Sequence, residues 1–127
     1  MKNLEQIRAQ SALALALEAE KGNTPVSGAN GGEAIKKIPP MIMGNGLLAT
    51  IAFSLDPKRE GYAAILSHLA RHLCSPGIAI TEDTISAKSL IEFLVANDSA
   101  TLRLATAESL EWFGYARRFV KKQGGEK

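Results

Sequence analysis

A row of cations is the first feature of this sequence with chemical potential. At about 100° per residue of helix, Arg103, Arg117 and Lys121 fall within roughly 40° of one another, and Arg118 and Lys122 extend the charge. No acid stands between Trp112 and Lys122. Guanidinium groups suit bidentate contact with phosphate, and ammonium groups act as point charges. The competing explanation is helix-dipole complementarity, which favours cations in a last turn. It covers Lys121 and Lys122 but not Arg103, several turns upstream. Lys36 and Lys37 form a second, smaller candidate, and Arg71 a third. The candidate phosphate contacts are therefore Arg103, Arg117, Arg118 and Lys121, then Lys36 and Lys37.

Other constellations carry less. His68 and His72 stand at i, i+4, the spacing of a metal pair on one helix face. The acid of metalloprotease motifs is missing, because position 69 is leucine, and the ordinary reading is two surface or boundary histidines. Cys74 has no neighbouring histidine and reads as a small buried hydrophobe. Gly44-Asn45-Gly46 is followed by Leu47-Leu48, not by the lysine and hydroxyl residue of a phosphate loop. It reads as a turn. Glu82-Asp83 and Glu108/Glu111 occupy exposed-type positions with nothing converging on them as an acid–base pair. The reading is of a protein without catalytic residues, metal or cofactor. An enzyme using His68, His72 and Glu82 is the least supported alternative.

These side chains must be held by helices. The chain of 127 residues is rich in Ala and Leu and poor in aromatics, which favours helix over sheet. That length predicts one domain with a working core. Net charge is +2, so a nucleic-acid surface must come from charge placement. A single cysteine excludes an internal disulfide and supports no cysteine-based zinc site. No secretory leader and no membrane span are read, so the expected setting is the cytoplasm.

In chain order, Asn3 with Gln6 predicts a boxed cap on a first helix, whose inner face holds Leu4, Ile7, Ser11, Ala14 and Leu15. Residues 23–32 read as a mobile loop. A short helix over 33–38 is expected to kink or break at Pro39-Pro40. The apolar run 47–55 reads as a buried helix. Asp56-Pro57 opens a fourth helix, with Tyr62, Ile65, Leu66, Leu69 and Leu73 inward. Residues 78–80 allow a brief extended segment. Asp83 or Ser86 caps a fifth helix, with Ile85, Leu90, Ile91, Leu94 and Val95 inward.

Asn97-Asp98 starts the last helix. Its core stripe is Leu102, Ala105, Ser109, Trp112, Ala116 and Phe119, widened by Phe113 and Val120. Leu104 and Ala107 suggest a second, weaker stripe. Residues 123–127 read as a frayed tail. The expected fold is all-α: a compact bundle of five to six helices around a long, central C-terminal helix, one domain over 1–127.

The run Leu102-Arg103-Leu104-Ala105-Thr106-Ala107-Glu108-Ser109-Leu110, followed by Tyr115-Ala116-Arg117-Arg118-Phe119, resembles the C-terminal signature of the small subunit of type III-B CRISPR effector complexes. These are the Cmr complexes, the RAMP-type RNA-silencing modules. The stretch from Pro40 through Gly46-Leu47-Leu48 to Ala52-Phe53 also looks like that family, as does the first helix around Ile7-Arg8-Ala9. Leu102 stands where the family usually has an aromatic, and Tyr115 where Trp is common.

The resemblance implies a non-catalytic helical subunit of an antiviral defence complex. Several copies would stack head to tail in a filament beside the other Cmr subunits and touch guide and target RNA through phosphates. The cations named above would then be RNA-binding residues. A protein-only helical adaptor, or the equivalent small subunit of a type III-A complex, is the alternative reading.

Overall fold

A computed structural model of the chain describes residues 3–20 and 29–120. Over these residues the chain forms six α-helices and one 3₁₀ turn, with no strand. The expected tail at 123–127 and most of the expected loop, residues 23–28, lie outside the described residues.

The first helix, α1 (Leu4–Glu20), begins at the expected reciprocal cap. The Gln6 amide donates to Asn3 Oδ1 at 2.9 Å, and the Asn3 amide donates to Gln6 Oε1 at 3.0 Å. Its buried residues are Ala12, Leu15, Ala16 and Ala19, while Leu4 and Ala14 are exposed. The inner face is thus turned by roughly one residue, about 100°, from the expected one. Small alanines let α1 approach the last helix closely, and the turn brings Arg8 and Ser11 to polar partners there.

The second helix, α2 (Ala29–Asn45), starts inside the expected loop and runs through both prolines. Pro39 and Pro40 do remove two amide donors. Ala34, Ile35 and Ile38 before them and Ile42 after them are all buried. Both halves therefore bury one continuous stripe, against α4, α3 and α6, and that burial outweighs the lost bonds. Gly46, at φ 95°, then turns the chain into α3 (Leu47–Ser54).

Only one face of α3 is buried: Leu47, Thr50, Ile51 and Ser54. Ala52 and Phe53 are exposed, so the run is not a fully buried helix. The two inner hydroxyls are satisfied locally. Thr50 Oγ1 donates to the Gly46 carbonyl at 2.9 Å and Ser54 Oγ to the Ile51 carbonyl at 2.6 Å. Satisfied in this way, they sit inside while Phe53 sits outside.

Asp56 caps a 3₁₀ turn (Pro57–Arg59), and α4 (Glu60–Leu73) follows with its five expected inner residues buried. Residues 78–80 do not form an extended segment. They belong to a turn folded back over the end of α4, with Ala79 at φ 49°. The Ile80 and Thr81 amides both donate to the Leu73 carbonyl at 2.9 and 3.2 Å.

Ser86, not Asp83, caps α5 (Ala87–Ala96) through a box with Ser89. That start leaves Ile85 ahead of the helix and exposed. The inner arc is Ala87, Leu90 and Leu94, with Ile91 half-buried, and Val95 turns outward.

Asp98 Oδ1 accepts from the Thr101 amide at 2.9 Å and starts α6 (Ser99–Val120). Ala105, Ser109, Trp112, Phe113 and Ala116 are buried, with Leu102 and Phe119 half-buried. The second stripe is not one, because Leu104 and Ala107 face solvent. The neighbours α1, α2 and α4 all lie on the other arc of α6. No helix among the described residues is long and apolar enough to cross a membrane.

Candidate nucleic-acid interface

A polar cluster on the buried side of α6 encloses Glu108, which the sequence places at an exposed-type position. Glu108 is 7% exposed and His72 is 2% exposed. Arg8 Nε and Nη2 donate to Glu108 Oε2 and Oε1, both at 2.8 Å. His72 Nε2 lies 2.9 Å from Glu108 Oε2, so that nitrogen carries the proton and donates. Glu111, which is exposed, lies 3.9 Å from Arg8 Nη1.

The His72 ring stacks on Trp112 at 6.0 Å, and the Trp112 indole N–H donates to Ser11 Oγ at 3.1 Å. Helices α1, α4 and α6 are therefore joined by one network. Glu108 belongs inside because it lies on the edge of the stripe that holds Ala105 and Trp112. Arg8 bears the same relation to Ala12 and Leu15. Two opposite charges at matching edges of two core stripes were the available signal.

Burial pushes the His72 imidazole below its ordinary value, against the opposing pull of the Glu108 bond. Burial pushes the Glu108 carboxyl up, but the bonds and charges of Arg8 and His72 outweigh it and leave the group below its ordinary value. His68 is half-buried and pairs with Glu18 at 2.8 Å. Burial lowers it as well. The two histidines thus have different carboxylate partners, neither of them Glu82; His68 is at the boundary, as expected, but His72 is fully inside. Cys74 is half-buried, its thiol directed at the Thr84 carbonyl at 3.3 Å.

On the side of α6 away from this network the cations face water. Arg117, Arg118 and Arg103 are exposed. Packing of α2 against α6 sets Lys36 beside the first two. Ile35, Lys36, Gly114, Arg117 and Arg118 line a shallow groove of about 320 Å³.

A wider groove of about 710 Å³ runs between α2, α3 and the 3₁₀ turn, with Lys36, Lys37, Lys58 and Arg59 among its lining residues. Lys36 lines both grooves, so the cations form one track. No described carboxylate lines either groove. Asp56 stands at the margin and holds Arg59 at 2.6 Å.

Four of the sequence candidates, Arg117, Arg118, Lys36 and Lys37, are thus brought together. Arg103 lies about 21 Å further along the helix axis, at 1.5 Å per residue, and is outside the track. It contributes to holding the Asp98 carboxyl below its ordinary value, after hydrogen bonds from Thr101. Lys121 lies outside the described residues. Arg71 is exposed but shares its hollow with Glu18. Lys58 and Arg59 were missed. They follow Asp56-Pro57 directly, and their place opposite Lys37 depends on the turn at Gly46.

A family model described as CRISPR-associated protein (Cas_Cmr5) matches residues 4–123. No curated protein and no solved structure matches the chain.

Proposed function

The chain belongs to the CRISPR-associated Cas_Cmr5 family, the small subunits of type III-B Cmr complexes, and from that premise we propose that it contacts RNA phosphates within such a complex without catalysing a reaction. In this reading it acts in the cytoplasm as one helical domain over 1–127. Copies stack head to tail beside the other Cmr subunits, because heterologous contacts that do not close on themselves generate filaments. Each copy presents Arg117, Arg118, Lys36 and Lys37 to guide and target RNA, and Lys121 of the sequence is counted with them. Arg103 is a second, separate point of contact.

The observation that carries this reading is Lys36 lining both grooves. It joins the cations of the two grooves on a chain whose net charge is only +2. One such track binds a polyanion weakly, and repetition along a filament raises avidity without a stronger site.

The test is reconstitution of the complex with Arg117→Glu/Arg118→Glu. Target-RNA capture should fall about tenfold and lose part of its salt dependence, while helicity is unchanged. Unaltered capture with intact assembly overturns the RNA contact and leaves a protein-only helical adaptor.

A further inference from the structure

The wider groove is more than a stretch of positive charge, because flat groups already in contact with one another line it. Tyr62, on α4, is buried and meets Phe53 edge to face, with ring centroids 5.3 Å apart and planes at 77°. Over the ring of Phe53 lies the Arg59 guanidinium, 4.1 Å from the centroid. Asp56 holds that guanidinium at 2.6 Å, and the same carboxylate caps the turn by accepting from the Lys58 amide at 2.9 Å. The plate is therefore positioned by the backbone as well as by charge.

Phe53 and Arg59 both line the groove and each keeps about a third of its surface exposed. Pro40 and Met41 supply an apolar wall, Asn45 a carboxamide, and Lys36 and Lys58 are cations on the rim. A fully apolar ligand would waste the cations, and inorganic phosphate would waste the plate. A planar, hydrogen-bonding ring carrying a phosphate uses all of it. Guanidinium planes and aromatic rings are the platforms on which unpaired bases stack.

We infer that this groove takes one unpaired nucleotide of an RNA strand, its base stacked on the Arg59–Phe53 plate and its phosphate between Lys36 and Lys58. The strand, not a free nucleotide, is the source, because Lys36 also lines the neighbouring groove of Arg117 and Arg118, where further phosphates would lie. The inference rests on the RNA reading above and adds recognition of a base to contact with the backbone.

The test is fluorescence anisotropy of the full chain with two labelled single-stranded RNA 12-mers at low salt, one of them abasic throughout. The base-bearing strand should bind at least about fivefold tighter, the lower end of the stacking contribution of a single base. Arg59→Lys keeps the charge and loses the plate, so it should remove that ratio while leaving the salt slope intact. Phe53→Leu should reduce the ratio and serves as the second variant if the first fails to fold. Free 5′-AMP should compete only at far higher concentration than the strand.

Equal binding of the two strands, with a steep salt slope, overturns the base pocket and leaves the phosphate track standing. Binding of neither strand also overturns the pocket, and the track is then judged by the reconstituted complex. Tight binding of 5′-AMP alone overturns the strand as the ligand.

Discussion

Arginine does opposite things in two regions of this molecule. At the junction of α1, α4 and α6, Arg8 is largely enclosed and both oxygens of Glu108 accept from it. On the far side of α6, Arg117 and Arg118 lie exposed beside Lys36, with no described carboxylate in the groove they line. One charge type thus builds either a clamp or an open cationic face, depending on whether the fold supplies its counterion. The two regions are also linked by geometry, since the clamp and the buried stripe of Ala105, Trp112 and Ala116 share one side of α6 and leave the other to water.

The comparison breaks most sharply at Glu108. Glu108→Ala would strand Arg8 and His72 in the interface, and unfolding by denaturant should show a loss of about 3 kcal/mol. The Arg8→Ala/Glu108→Ala pair should cost less than the two single losses added, which a double-mutant cycle measures.

Acid is the next lever, and its sign follows from the shifts. Burial lowers His72 and His68 in the fold, so the unfolded chain takes up protons first as pH falls. Stability should therefore fall as pH drops below the unfolded value of about 6.5, by at most about 1.4 kcal/mol per pH unit for each histidine. Glu108, lowered in the fold, adds stability that is present above the ordinary carboxylate value and is lost as pH falls through the folded one. Chemical denaturation at neutral and mildly acidic pH reads this. A flat profile would mean that the histidines are not enclosed.

The open cationic face should respond in the reverse manner. Arg117→Glu/Arg118→Glu should weaken RNA capture about tenfold while moving unfolding free energy by less than about 0.5 kcal/mol. Smallest of all, Arg103→Glu, about 21 Å along α6 from the track, should change capture by no more than about twofold, as the loss of one separate phosphate contact. If it matches the double variant, the RNA path runs along the whole of α6 and the grooves are not its centre.

What could be read from the sequence was what depends on neighbours in sequence. The Asn3–Gln6 box, the Asp56 and Asp98 caps, the inner face of α4 and the core stripe of α6 are all set by residues within a turn or two. Facts that need a distant partner were hidden. Periodicity puts Arg8 and Glu108 at the edges of stripes, but nothing local says that the two edges meet across a hundred positions of chain. Pro39-Pro40 predicted a break from local sterics, and shared burial of Ile35, Ile38 and Ile42 overruled it. Val95 and Ile85 looked inward by hydrophobicity, until the Ser86 cap fixed the phase of α5. Lys36 and Lys37 were visible as cations, but their union with Lys58 and Arg59 waits on the turn between α2 and α3.

That turn has a consequence of its own. Gly46 adopts a backbone angle that side-chain-bearing residues rarely take, although open space surrounds the place where a Cβ would stand. Handedness, not crowding, reserves the position. The walls that carry Lys36 on one side and Phe53 on the other are joined through an achiral residue, so the gape of the larger groove is written in stereochemistry as well as in contacts.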